Sequence, residues 1–140
     1  MWLEIYGHQG EGIGGAATFE GWQVLILNYL PRLAPRTVMD LQRHTETDEM
    51  FILCQGRAIL FLAGDGDEPG DSLEAAALEQ GKVYRVRRNV WHTQVMTPEA
   101  KLFLVENRDT VAENSPRRPI GASLREQIAQ AADRLWAPPC

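Results

Sequence analysis

The chain carries three histidines, His8, His44 and His92. The second stands in the run QRHTETDEMFILCQG (42–56), beside an amide, three acids and a short apolar stretch. Alternation along a strand puts Asp40, Gln42 and His44 on one face, with Leu41 and Arg43 on the other. After a turn through Thr45 to Asp48, Glu49 opens another strand and shares its face with Phe51 and Leu53. If these two strands pair, His44 and Glu49 point into one cavity, with Gln42 one step deeper. Further along, His92 shares a face with Gln94 and Met96. Two imidazoles and a carboxylate on a rigid β scaffold are the minimal site for a divalent transition metal. Imidazole suits Fe, Ni, Cu and Zn, and the carboxylate keeps Mn and Fe in contention. Gln42 adds a neutral oxygen, as a ligand or as a clamp on substrate or water. By face parity, Asp40 is a partner for the other ring nitrogen of His44. A plainer arrangement of the same residues stays open. Glu49 pairs at the surface with Arg43 or Arg57, His92 is a hydrogen-bonded core histidine beside Trp91, and His8 is exposed in a Gly-rich arm.

The elements that must position these groups read as strands. Candidates are 22–29, 37–43, 49–54, 57–63, 74–79, 83–87, 91–96 and 101–106. They are short, rich in branched and aromatic residues, and divided by Gly, Pro, Asp and Asn. Such spacing without intervening helices predicts an all-β sandwich or barrel. CQG (54–56) predicts a tight hairpin with Gly56 at positive φ, and Cys54 reads as a buried thiol. One helix follows: Ser123 and Glu126 form a capping-box pattern, Leu124, Ile128, Ala131, Ala132 and Leu135 repeat at helical spacing, and Pro138 and Pro139 end it. The polar segment 107–122 is expected to wrap the barrel, and ENRDTVAEN (106–114) is a candidate to close one end, with Glu106 or Asn114 reaching inward.

Two glycine-rich stretches look like ligand loops and fail on context. GEGIGG (10–15) fits G-x-G-x-x-G, but no helix follows it to hold a pyrophosphate, and a flexible turn is expected instead. DGDEPGD (65–71) lacks the calcium-loop glutamate, because its twelfth position is Ala76; a solvated loop is expected.

The 140 residues suffice for one domain, expected over 1–140 with an arm at 1–21, a barrel core at about 22–106 and a wrap and helix at 107–140. A net charge of −5 with scattered basic residues argues against nucleic-acid binding. No apolar run is long enough to cross a bilayer, and the N-terminus lacks a signal-peptide pattern, so no membrane partner and a cytoplasmic setting are expected. Two cysteines, Cys54 and Cys140, make no disulfide framework.

These residues resemble the cupin superfamily of small barrels, in its single-domain RmlC-like form. Its first motif, G-x5-H-x-H-x3–4-E-x6-G, finds His44, Glu49 and Gly56 in register, with Gln42 in place of the first histidine. Its second, G-x5-P-x-G-x2-H-x3-N, finds Gly81 and His92, while Arg87, Asn89 and Met96 replace the Pro, Gly and Asn. Asn89 is a mild replacement, since Asn tolerates left-handed turns. The resemblance covers about 22–106. It implies a double-stranded β-helix (jelly-roll) barrel, often dimeric. A divalent metal (Fe, Mn, Ni or Zn) would be held by the residues matching His44, Glu49 and His92, with Gln42 as the further ligand or catalytic contact. The function implied is a metal-dependent enzyme acting on a small oxygen-rich metabolite by oxygenase, isomerase or lyase chemistry. The alternative is a non-catalytic sensor or binding barrel, with or without metal. A homodimer is expected, and a small molecule in the barrel is the expected partner.

Overall fold

A computed structural model of the chain describes residues 2–138; Pro139 and Cys140 lie outside it. All the expected strands form, and two more join them. The strands are β1 (Gly12–Phe19), β2 (Trp22–Asn28), β3 (Asp40–Gln42), β4 (Glu49–Gln55), β5 (Ala58–Leu62), β6 (Glu74–Ala77), β7 (Val83–Val86), β8 (His92–Met96), β9 (Lys101–Asn107) and β10 (Arg117–Pro119). They make two five-stranded antiparallel sheets, ordered β1-β2-β9-β4-β7 and β10-β3-β8-β5-β6. The helix α1 (Ala122–Leu135) packs outside the second sheet.

Alternation divides the side chains between two cores. Leu25, Leu27, Phe51, Leu53, Leu102 and Leu104 meet Leu60 and Met96 between the sheets. Ile59, Phe61, Val95 and Leu41 face the other way, under Ile128, Ala131 and Ala132 of α1. The second sheet is therefore covered on both sides, and β8 is buried along its whole length. Trp91, fully buried, carries the guanidinium groups of Arg43 and Arg118 at 4.8 and 5.4 Å from its ring centre.

Four local expectations are corrected. GEGIGG is no turn: Gly12–Phe19 is an edge strand, bent by a bulge between Gly14 and Ala17, because β2 offers it a pairing partner. Gly56 does have φ +71°, but β4 and β5 lie in different sheets, so it turns a corner between layers. Cys54 is exposed, since Phe51 and Leu53 take the inward positions and leave it at the outer end of the strand. Ser123 does not cap α1. Buried Ile120 fixes the entry of the chain, Gly121 takes the cap position, and Ser123 lies inside the first turn.

Candidate metal centre

One end of the inner face of the first sheet is polar. The register of β2 against β9 sets Gln23 opposite Glu106. That of β9 against β4 sets Val105 opposite Met50, so the next step brings Glu106 beside Glu49. Deeper rows are apolar: Leu25, Leu104 and Phe51, then Leu27, Leu102 and Leu53. From the facing sheet, Gln42 pairs with His92 across β3 and β8. His44 lies just past the end of β3, its carbonyl accepting from the Asn89 backbone N–H at 2.7 Å. Asn89 takes φ +69°, the left-handed turn expected of that position.

His44, Glu49 and His92 converge, all buried, with candidate ligand atoms within 4.8 Å of one another. Their meeting was expected from paired strands, but β3 and β4 belong to opposite sheets, and the site bridges the barrel. His44 Nε2 stands 3.2 Å and His92 Nε2 3.1 Å from the same oxygen, Oε1 of Glu49. The far side of each ring explains the arrangement. His92 Nδ1 is 2.8 Å from the Val90 carbonyl, which only accepts, so Nδ1 carries a hydrogen. His44 Nδ1 is 2.8 Å from Ser115 Oγ, and that hydroxyl donates onward to Asn114 Oδ1 at 3.3 Å. With Nδ1 engaged on the far side, Nε2 of each ring is the nitrogen left to face the carboxylate oxygen. Three electron-rich atoms converge on one point, and a cation must lie among them: a proton, or a metal whose outer partners are already set. Separations of 3.1 and 3.2 Å also match roughly 3.0–3.4 Å between neighbouring ligands on bonds of about 2.1 Å. The residues fit a divalent transition metal.

Burial alone would raise the Glu49 carboxyl; the hydrogen bonds and charge of His44 and His92 outweigh it and hold it well below the usual carboxylate range. Glu106 goes the other way. Burial, then the hydrogen bond and charge of Glu49, push it up to about 8, against the opposing Gln23 amide. Its Oε1 accepts from Gln23 Nε2 at 3.2 Å, and its Oε2 faces His44 Nε2 at 3.9 Å.

A cavity of about 510 Å³ opens from these groups. Leu27, Phe51 and Leu104 line its walls, Gln42 and Gln94 add amides, and Arg32 and Arg117 stand at its mouth. Asp40 does not support His44: it pairs with Arg117 at 3.2 Å, and Ser115 takes the place expected of it. Glu49 meets neither Arg43 nor Arg57, whose guanidinium groups bond the Gly66 and Trp136 carbonyls. His8 packs on Gly14 and Gly10 in the N-terminal segment, apart from the cluster. Of the two residues named for the closing segment, Glu106 reaches in and Asn114 stands behind Ser115. Ser115 carried no signal in the sequence. Glu106 did: it continues the inward parity of Leu102 and Leu104.

No family model and no curated protein matches the chain. Solved structures do. A 3,4-ketoisomerase of Thermoanaerobacterium thermosaccharolyticum, a double mutant in complex with TDP, matches with a TM-score of 0.53 at 14% identity, over 82% of this chain and 75% of that one. A TDP-quinovose 3,4-ketoisomerase of Campylobacter jejuni matches with a TM-score of 0.52 at 14% identity, over 76% and 73%. A cupin-2 domain protein of Shewanella frigidimarina matches with a TM-score of 0.47 at 20% identity, over 66% and 76%. At these identities the likeness is one of fold. The architecture is a jelly-roll barrel of two antiparallel sheets with a C-terminal helix.

Proposed function

We propose that the protein is a metal-dependent enzyme acting on a small, oxygen-rich metabolite inside the barrel. His44, Glu49 and His92 hold one divalent ion among Fe, Mn, Ni and Zn. The observation that carries this reading is the convergence of two imidazole Nε2 atoms on Glu49 Oε1, with both Nδ1 hydrogens committed elsewhere. When bound, such an ion polarises a carbonyl, stabilises an enolate or binds dioxygen. The chain's own residues do the rest. Leu27, Phe51 and Leu104 keep the cavity largely dry, Gln42 orients substrate or water beside the ion, and Arg32 at the mouth attracts an anionic group. Glu49, as a ligand, is no general base. Isomerase, oxygenase and lyase chemistry all suit this site, since the fold does not select a reaction.

The protein works as a homodimer in the cytoplasm, on this reading. Support for the dimer is the N-terminal segment, where Trp2, Leu3 and Ile5 are exposed at 107, 63 and 85%. No described helix is long and apolar enough to cross a membrane.

The test is elemental analysis of protein purified without chelator, beside His44→Ala and His92→Ala. Near-stoichiometric metal in the wild type and background levels in both variants are expected. Equal, low metal in all three overturns the reading. Loaded protein incubated with keto acids, sugars and catechols, with and without oxygen, then separates turnover from ligand-induced thermal shifts alone, which would indicate a binding module.

A further inference from the structure

Glu106 is a second carboxylate in the barrel with no cation of its own. It is 8% exposed, and the described residues give its side chain two partners besides Glu49: the Gln23 amide and, at 3.9 Å, His44 Nε2. Neither Lys nor Arg pairs with it or with Glu49 among the described residues. Two buried carboxyl groups side by side need either a shared proton or a metal cation between them, and the second displaces the first. The Gln23 amide holds Oε1 from behind and turns Oε2 toward the point on which His44, Glu49 and His92 converge.

We infer that Glu106 is the fourth protein ligand of the metal centre, in the place where Gln42 was the expected candidate. This rests on the metal reading above and deepens it. Oε2 lies just outside the tight cluster. Its 3.9 Å from His44 Nε2 exceeds by about half an ångström the roughly 3.4 Å between tetrahedral ligands. A small turn about the side-chain torsions closes that gap without moving β9. Two neutral imidazoles and two carboxylates then balance a divalent ion, leaving a neutral centre in an apolar barrel. Hard carboxylate oxygens at two positions shift preference toward Mn and Fe over Cu and Zn, compared with a centre of three imidazoles and one carboxylate. Gln42, which makes no side-chain hydrogen bond recorded among the described residues, is left free to face substrate from the cavity wall.

The experiment uses full-length protein stripped of metal and titrated with Mn²⁺ by calorimetry, and with Co²⁺ by visible absorption. Wild type, Glu106→Gln, Glu106→Asp and Gln42→Ala are compared, each checked for folding by circular dichroism. One Mn²⁺ per wild-type chain is expected. Glu106→Gln should weaken binding at least tenfold and change the Co²⁺ ligand-field bands, while Gln42→Ala stays within about threefold and keeps them. Glu106→Asp, which withdraws the carboxylate by one methylene, should also weaken binding, so the inference can still be judged if the Gln variant does not fold. A folded Glu106 variant that binds like wild type with unchanged Co²⁺ bands overturns it. A wild type that binds no metal overturns the underlying metal reading instead, and the two failures are told apart by that one titration.

Discussion

His92 and Glu49 meet at 3.1 Å through Nε2 and Oε1, while the opposite ring nitrogen of His92 donates to the Val90 carbonyl at 2.8 Å. A backbone carbonyl cannot reverse its role, so the main chain holds Nδ1 and leaves Nε2 as the nitrogen that faces the interior. Glu49→Gln removes the charge that both rings address and offers an amide in its place. Metal content should fall to background, with affinity lower by at least a hundredfold. Calorimetric titration of the stripped variant checks this; retention of wild-type affinity would show that the carboxylate is no ligand.

Ser115 does for His44 what the backbone does for His92, but with a replaceable side chain. Ser115→Ala should leave the fold intact and lower metal affinity about 10- to 100-fold by freeing the ring to turn or change tautomer. Competition against a chelator of known affinity reads the difference.

Glu49 and Glu106 give the metal-free protein opposite pH dependences. Glu49 is held below its ordinary value of 4.5, so its contribution to stability is present above that pH and lost as the pH falls. Glu106 is raised from 4.5 to about 8, so its contribution is complete below 4.5 and lost as the pH rises toward 8. Melting temperature of stripped protein should therefore decline from pH 5 to 8. Glu106→Gln should flatten that decline and keep the acid-side loss, and Glu49→Gln should weaken the acid-side loss. A Glu106→Gln profile parallel to wild type would contradict the assignment.

Gly56 turns the chain between the sheets at φ +71°, where an added Cβ would come within 2.5 Å of the Ala100 Cα. Gly56→Ala should cost about 2 kcal/mol or more, since both the left-handed backbone and the backbone contact penalise it. Urea denaturation measures this, and a loss under about 0.5 kcal/mol would mean the corner relaxes freely.

Parity along strands was legible in the sequence; which strands abut was not. Alternation put Gln42, His44 and Glu49 on cavity-facing sides correctly, although β3 and β4 turn out to face each other across the barrel rather than to pair. The same alternation, carried along β9 from Leu102 and Leu104, reaches Glu106, although in the sequence that residue stood out only as part of the closing segment. Nothing local said that β9 lies between β2 and β4, which is what sets Glu106 between Gln23 and Glu49. Asp40 shows the converse. Its parity was right, but register with β10 placed it opposite Pro119, within reach of Arg117, and left His44 to Ser115, 71 positions along the chain. The glycine-rich stretch at 10–15 misled because a glycine pattern suits a turn and a bulged edge strand equally, and only β2 decided between them.

The site also has a mechanical meaning. Glu49 and Glu106 come from one sheet, and His44 and His92 from the strand-end loop and central strand of the other. An ion shared by them, as proposed above, would clasp the two layers at the barrel's open end, where polar side chains replace the apolar rows that hold the rest together. Binding energy at that clasp adds directly to folding energy, about 4 kcal/mol at a thousandfold excess over the dissociation constant. With an ion bound there, the layers would not part at that end without releasing it, so substrate would reach the site through the existing cavity and not by separation of the sheets.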